Sequence, residues 1–120
     1  DIKIVYLEDE KALRETVSGM LDSFFEEVIP FVNGKEALDF LENNFVPDII
    51  VTDINMPVMD GIEFIKELYS QNKNIPIIIT SGHYDNDFFD EPKEFQNVVK
   101  YINKPVDIRD LINAVSKYAS

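Results

Sequence analysis

Apolar positions along this chain change period several times. Ile2–Leu7 is a short, mostly apolar run with β-branched residues, the pattern of a buried strand. Ala12, Leu13, Val17, Met20, Leu21 and Phe24 then recur at helical spacing. Val28–Val32 is strand-like, and Pro30 confines it to a sheet edge because proline cannot donate to a ladder. Asn33-Gly34 marks a turn, after which Ala37, Leu38 and Leu41 predict a short amphipathic helix. Pro47 precedes Asp48–Asp53, whose Ile49-Ile50-Val51 centre predicts a strand buried on both faces. Met56–Gly61 is a loop, followed by Ile62, Ile65 and Leu68 on one helical face. Ile75–Thr80, with Pro76 near its start, and Val98–Ile102 are the remaining strands; Ile108, Leu111, Ile112, Val115 and Tyr118 line a closing helix.

Strands alternating with helices through short loops imply parallel βαβ units with right-handed crossovers. Five such strands predict an α/β, doubly wound, flavodoxin-like three-layer sandwich with strand order 2-1-3-4-5. The crossover between Ser81 and Asn97 breaks the pattern, because Pro92 sits in its middle. A proline inside a helix removes a donor and clashes with the preceding turn. Asp90 or Glu91 can instead cap a short helix starting near Pro92, so the fourth helix is expected to be atypical: short, displaced or broken. No linker divides the chain, and residues 1–120 are read as one domain.

Composition narrows the function. The 120 residues hold 23 Asp+Glu against 11 Lys+Arg, a formal charge of −12. Such acidity repels phosphate backbones and anionic lipid, so no nucleic acid and no membrane is expected to bind this domain. There is no cysteine and a single histidine, His83, which leaves neither disulfides nor a zinc site. No apolar run approaches the length of a membrane span, and a cytoplasmic domain is the expectation. The first residue is Asp1 rather than Met, which points to a processed or excised fragment.

In open α/β sheets, ligands bind beyond the carboxyl ends of the strands, at the switch in strand order. The first strand delivers Glu8 and Asp9 there, and its neighbour, the third, delivers Asp53. The fourth ends in Thr80 and Ser81; the fifth runs into Asn103-Lys104-Pro105. Crowded carboxylates repel one another, which raises their pKa values or recruits a cation. Oxygen-only ligands beside open space suit Mg²⁺. A carboxylate nucleophile, a hard cation, a lysine and a hydroxyl make a phosphoryl-transfer centre, since that chemistry needs mainly positioning and charge neutralisation. An acidic pair alone is ordinarily solvated surface. Five suitable residues at the ends of four strands on one edge favour the functional reading.

These residues lie in stretches that resemble the receiver domain of two-component response regulators, chemotaxis-regulator-like in extent. The stretches are Val5–Glu10, Asp48–Gly61, Ile77–Ser81 and Tyr101–Pro105. The resemblance implies phosphorelay signal transduction: a phosphohistidine of a histidine kinase or phosphotransfer protein phosphorylates Asp53, and an output domain or downstream protein reads the result. It implies a regulatory, phospho-accepting domain rather than an enzyme, with autophosphorylation and autodephosphorylation chemistry of its own. It further implies Mg²⁺ held by Glu8, Asp9, Asp53 and the backbone carbonyl of Asn55. Lys104 would contact a phosphoryl oxygen, Thr80 would be the switch hydroxyl, Tyr101 the aromatic that follows it, and Lys104–Pro105 a cis peptide. Asn55 and Gly82 would flank the attacking water. The stretch from His83 to Pro92 lacks the family's usual apolar periodicity, so a homodimer through that face is expected to be weak at most.

Rival readings fail on particular residues. A flavodoxin's first loop must cradle a phosphate, which Glu8-Asp9-Glu10 would repel, and no G-x-G-x-x-G turn is present for a dinucleotide. A haloacid-dehalogenase-type phosphatase would carry a second Asp where Asn55 stands. A docking module that has lost phosphorylation would have no need of Glu8, Asp9, Asp53, Thr80 and Lys104 together.

Overall fold

The computed structural model describes residues 1–43, 45–54, 59–71, 74–82 and 97–119. Its strands are β1 (Lys3–Leu7), β2 (Glu27–Phe31), β3 (Ile49–Asp53), β4 (Ile77–Ser81) and β5 (Val98–Asn103). They form one parallel sheet in the order β2-β1-β3-β4-β5, the expected 2-1-3-4-5 topology. The helices among the described residues are α1 (Lys11–Asp22), α2 (Gly34–Leu41), α3 (Gly61–Ser70) and α4 (Ile108–Tyr118). Residues 83–96 of the crossover expected to be atypical, with His83, Asp90, Glu91 and Pro92, lie outside the described residues.

Side chains alternate across each strand, and two separate cores result. Val5, Leu7, Ile50, Ile77 and Ile79 face α2 and α3, packing with Leu38, Leu41, Phe64 and Leu68. Ile4, Tyr6, Ile49, Val51 and Ile78 face α1 and α4, packing with Val17, Leu21, Leu111 and Val115. This is why the central strands read as continuous apolar runs: both faces are covered. Every residue of β3 and β4 is buried, whereas β2, an edge strand, is not, and Pro30 is tolerated there.

Helix ends follow local chemistry. Asn33 caps α2 by accepting from the Glu36 N–H at 3.0 Å. Asp60 and Glu63 form a capping box at the start of α3. The spacing misjudged one face of α1. Leu13, Val17 and Leu21 point inward, while Ala12 is exposed and Met20 is 44% exposed. Phe24 lies beyond the helix end and is 65% exposed. A single i, i+4 row suffices to cover this core, so the flanking apolar positions face solvent.

Candidate functional site

The carboxyl ends of β1, β3 and β4 carry buried polar residues, Glu8, Thr52, Asp53, Thr80 and Ser81, and β5 runs into Lys104. Glu8 directly follows β1, and its N–H donates to the Phe31 carbonyl at 3.0 Å, which extends the β1–β2 ladder by one residue. Asp53 is the last residue of β3 and pairs in register with Thr80 of β4. Lys104 directly follows β5, and its N–H donates to the Ser81 carbonyl at 2.7 Å. The Lys104–Pro105 peptide is cis.

Alternation puts Glu8, Asp53, Thr80 and Lys104 on the face of the sheet that carries Tyr6, Val51 and Ile78. Lys104 starts two strands away from Asp53, roughly 10 Å at normal strand spacing, and only a long side chain crosses that gap. Its Nζ donates to Asp53 Oδ2 at 2.8 Å and to Glu8 Oε1 at 3.0 Å. Glu8 uses its other oxygen, Oε2, to accept from the Glu10 N–H at 3.1 Å. Asp9, by contrast, is exposed. Ligand oxygens of Glu8, Asp9 and Asp53 all lie within 4.8 Å of one another. Three carboxylates and no sulfur or imidazole among the described residues of the group fit a hard divalent cation such as Mg²⁺.

Burial sets the electrostatics. Glu8 is 1% exposed and Asp53 is 3% exposed. Desolvation raises the Glu8 carboxyl above its ordinary value; the bonds from Glu10 and Lys104 oppose this, and the Asp53 charge adds to it. Burial alone would lower Lys104, but the hydrogen bond and charge of Asp53, followed by those of Glu8, outweigh it, and its ammonium is held above the ordinary lysine value. Tyr6, two residues before Glu8, is raised by burial and then by the charges of Glu8 and Asp53. The phenol thus senses the acidic group, with which strand alternation places it on one face.

The remaining expected residues divide. Thr80 is buried, and its hydroxyl donates to the Thr52 carbonyl at 3.4 Å, a long bond. Tyr101 pairs in register with Ile79, one step before the Thr80–Ile102 pair, and packs on the core of the other face. Thr80 and Tyr101 are thus diagonal neighbours on adjacent strands, on opposite faces of the sheet. Asn55 lies outside the described residues.

Two supports of the site escaped the sequence reading. Arg14, on α1, donates through Nη1 to the carbonyls of Glu8 at 2.9 Å and Asp9 at 3.3 Å; an arginine one turn into an amphipathic helix carries no distinctive signal. Gly61 lies directly under Asp53. A Cβ there would collide with the Asp53 carbonyl oxygen, and its N–H donates to the Ile54 carbonyl at 2.8 Å. Only glycine allows α3 to begin so close to the end of β3.

Comparison with known proteins agrees with this arrangement. Residues 4–116 match the family described as response regulator receiver domain. Sporulation initiation phosphotransferase F of Bacillus subtilis is 30% identical over 116 residues, covering 97% of this chain and 92% of that protein. The DNA-binding transcriptional regulator NtrC of Escherichia coli is 29% identical over 95% of this chain, which spans only 24% of the regulator. Among solved structures, the receiver domain of Francisella response regulator 1452 is 30% identical with a TM-score of 0.85, covering 99% of this chain and 97% of that one. The chemotaxis response regulator CheY4 of Vibrio cholerae superposes with a TM-score of 0.85 at 27% identity, covering 98% of each chain.

Proposed function

This chain belongs to the response regulator receiver domain family and works in two-component phosphorelay signalling, and on that premise we propose that Asp53 is its phosphoryl acceptor. An Asp53 carboxylate oxygen bonds to phosphorus as the phosphorus–nitrogen bond of a phosphohistidine breaks; the ring nitrogen keeps the electron pair, and with a proton already on the other ring nitrogen the donor is left with a neutral imidazole. The donor is a histidine kinase or phosphotransfer protein. Residues 1–120 are read as one receiver domain, cytoplasmic, regulatory rather than enzymatic, whose output domain or downstream protein reads the phosphorylated state.

One observation carries this reading: Lys104 crosses two strands to hold Asp53 at 2.8 Å beside Glu8. Its ammonium is therefore in place to neutralise the equatorial oxygens of a phosphoryl group arriving at Asp53. Glu8, Asp9 and Asp53, with the Asn55 carbonyl, would hold Mg²⁺, which when bound supplies further charge neutralisation at the same oxygens. The aspartyl phosphate carries about −1.5 to −2 charges where the carboxylate carried −1. Water attack at phosphorus would break the phosphorus–oxygen bond, release inorganic phosphate and restore the carboxylate, at a rate we assign to Asn55 and Gly82, so the domain resets itself.

Thr80 supplies the link to output. Its hydroxyl spends a long bond on Thr52 and would gain a charge-assisted one by turning to a phosphoryl oxygen. Tyr101, its diagonal neighbour on the opposite face, would follow through the shared β4–β5 backbone, biasing the surface of β5 and α4 between two states. That surface also bears any weak homodimer. Nucleic acid and membrane are not partners of so acidic a domain.

Intact mass tests the proposal. With acetyl phosphate and Mg²⁺, the protein is expected to gain one phosphoryl group, and Asp53→Asn none. An equal gain in Asp53→Asn, or no gain by the native protein, overturns it.

A further inference from the structure

The turn between β1 and α1 carries two of the three carboxylates, and within it one side-chain bond is made, from the Glu10 N–H to Glu8 Oε2 at 3.1 Å. Glu10, the N-cap of α1, makes no side-chain capping bond, and no acidic residue occupies the first helical turn. Asp9 is exposed. What spans the turn is Arg14: one nitrogen, Nη1, uses its two hydrogens on the Glu8 carbonyl at 2.9 Å and the Asp9 carbonyl at 3.3 Å. The Arg14 N–H donates to the Glu10 carbonyl at 2.8 Å, so the same residue begins the helix and holds the turn before it.

Resting on the Mg²⁺ reading above, we propose that Arg14 is a positioning residue for the cation: by clamping both carbonyls it fixes the backbone from which the Glu8 and Asp9 carboxylates project. The clamp acts on geometry and against charge. A guanidinium beside a cation site repels the cation, so as a mere charge Arg14 would weaken Mg²⁺ binding. As a clamp it strengthens binding, since carboxylates held at one separation need no reordering when the ion arrives. The two roles predict opposite signs.

Titration calorimetry of the whole chain with MgCl₂ separates them, with the metal-free thermal midpoint recorded for each variant. Arg14→Ala is expected to weaken the Mg²⁺ Kd by about 10–100-fold, the range for residues that orient metal ligands. Arg14→Lys keeps the charge, but its flexible, strongly hydrated ammonium gives up more freedom than the planar guanidinium to hold two carbonyls, and it is expected to lose part of the same affinity. A tighter Kd in Arg14→Ala would show that only charge matters and overturn the inference. An unchanged Kd with a lowered midpoint in both variants would overturn it too, leaving Arg14 a helix-stabilising residue alone. If the native chain takes up no Mg²⁺, the Mg²⁺ reading itself fails and this inference with it; native binding that both variants retain unchanged defeats the clamp alone.

Discussion

Val51 and Asp53 stand two residues apart on β3, face the same side of the sheet and are both buried, yet they obey opposite rules. Val51 packs among Ile4, Ile49 and Ile78, where any well-fitting hydrocarbon would serve. Asp53 lies against Lys104, with the carboxylates of Glu8 and Asp9 within 4.8 Å, where burial disfavours charge and like charges repel. The middle of the sheet provides stability by redundancy: many side chains, each replaceable. Its carboxyl edge gives up stability to assemble one arrangement, and each residue there is needed for a different reason.

Substitutions can break this contrast, and the largest effect is expected on chemistry at the edge. Asp53→Asn removes phosphoryl uptake entirely while changing folding stability by no more than about 1 kcal/mol, as intact mass and urea unfolding will show. In the middle the pattern reverses. Ile78→Ala, at a fully buried position, is expected to cost about 2–5 kcal/mol by urea unfolding, the same with and without Mg²⁺.

Lys104→Met sharpens the comparison. It strips the cation from two buried carboxylates, and unfolding without Mg²⁺ should show a loss of about 3 kcal/mol. Added Mg²⁺ should restore part of that loss by binding the folded state. The native lysine also sets an alkaline signature. Its folded pKa lies above the ordinary value of 10.5, so its contribution is complete below that pH and is lost as pH rises through the folded value. Lys104→Met should lack this alkaline decline.

The smallest effect is the acid limb of Mg²⁺ binding. Glu8 must be ionised to hold the ion, and its pKa is raised. The Mg²⁺ Kd should therefore weaken as pH falls through the raised Glu8 value, starting at higher pH than an ordinary carboxylate would allow. In Mg²⁺-free buffer the sign is opposite. The folded state binds the Glu8 proton more tightly than the unfolded chain, so acidification through the same window adds to stability.

The two regions also differed in how much the sequence disclosed. Ile49-Ile50-Val51 and Ile77-Ile78-Ile79 announced central strands because burial on both faces leaves no polar position, and strand order followed from the alternation with helices. Glu8, Asp9, Asp53, Thr80 and Lys104 were legible because strand ends place them on one edge. Arg14 and Tyr6 were not. Arg14 acts by reaching back from a helix, a relation with no period; Tyr6 shares a face with Glu8 by strand alternation, but its apolar neighbours made it read as core alone. Met20 and Phe24 misled for the opposite reason: helical spacing shows that a face is apolar, not that anything covers it.

The most direct test of the central claim locates the phosphoryl group. The chain is incubated with acetyl phosphate and Mg²⁺, reduced with borohydride, which converts an acyl phosphate to an alcohol, and mapped by peptide mass. Reduction confined to Asp53 is the predicted result. Modification at Glu8 or Asp9 instead, or a phosphoryl group that resists borohydride, would contradict it.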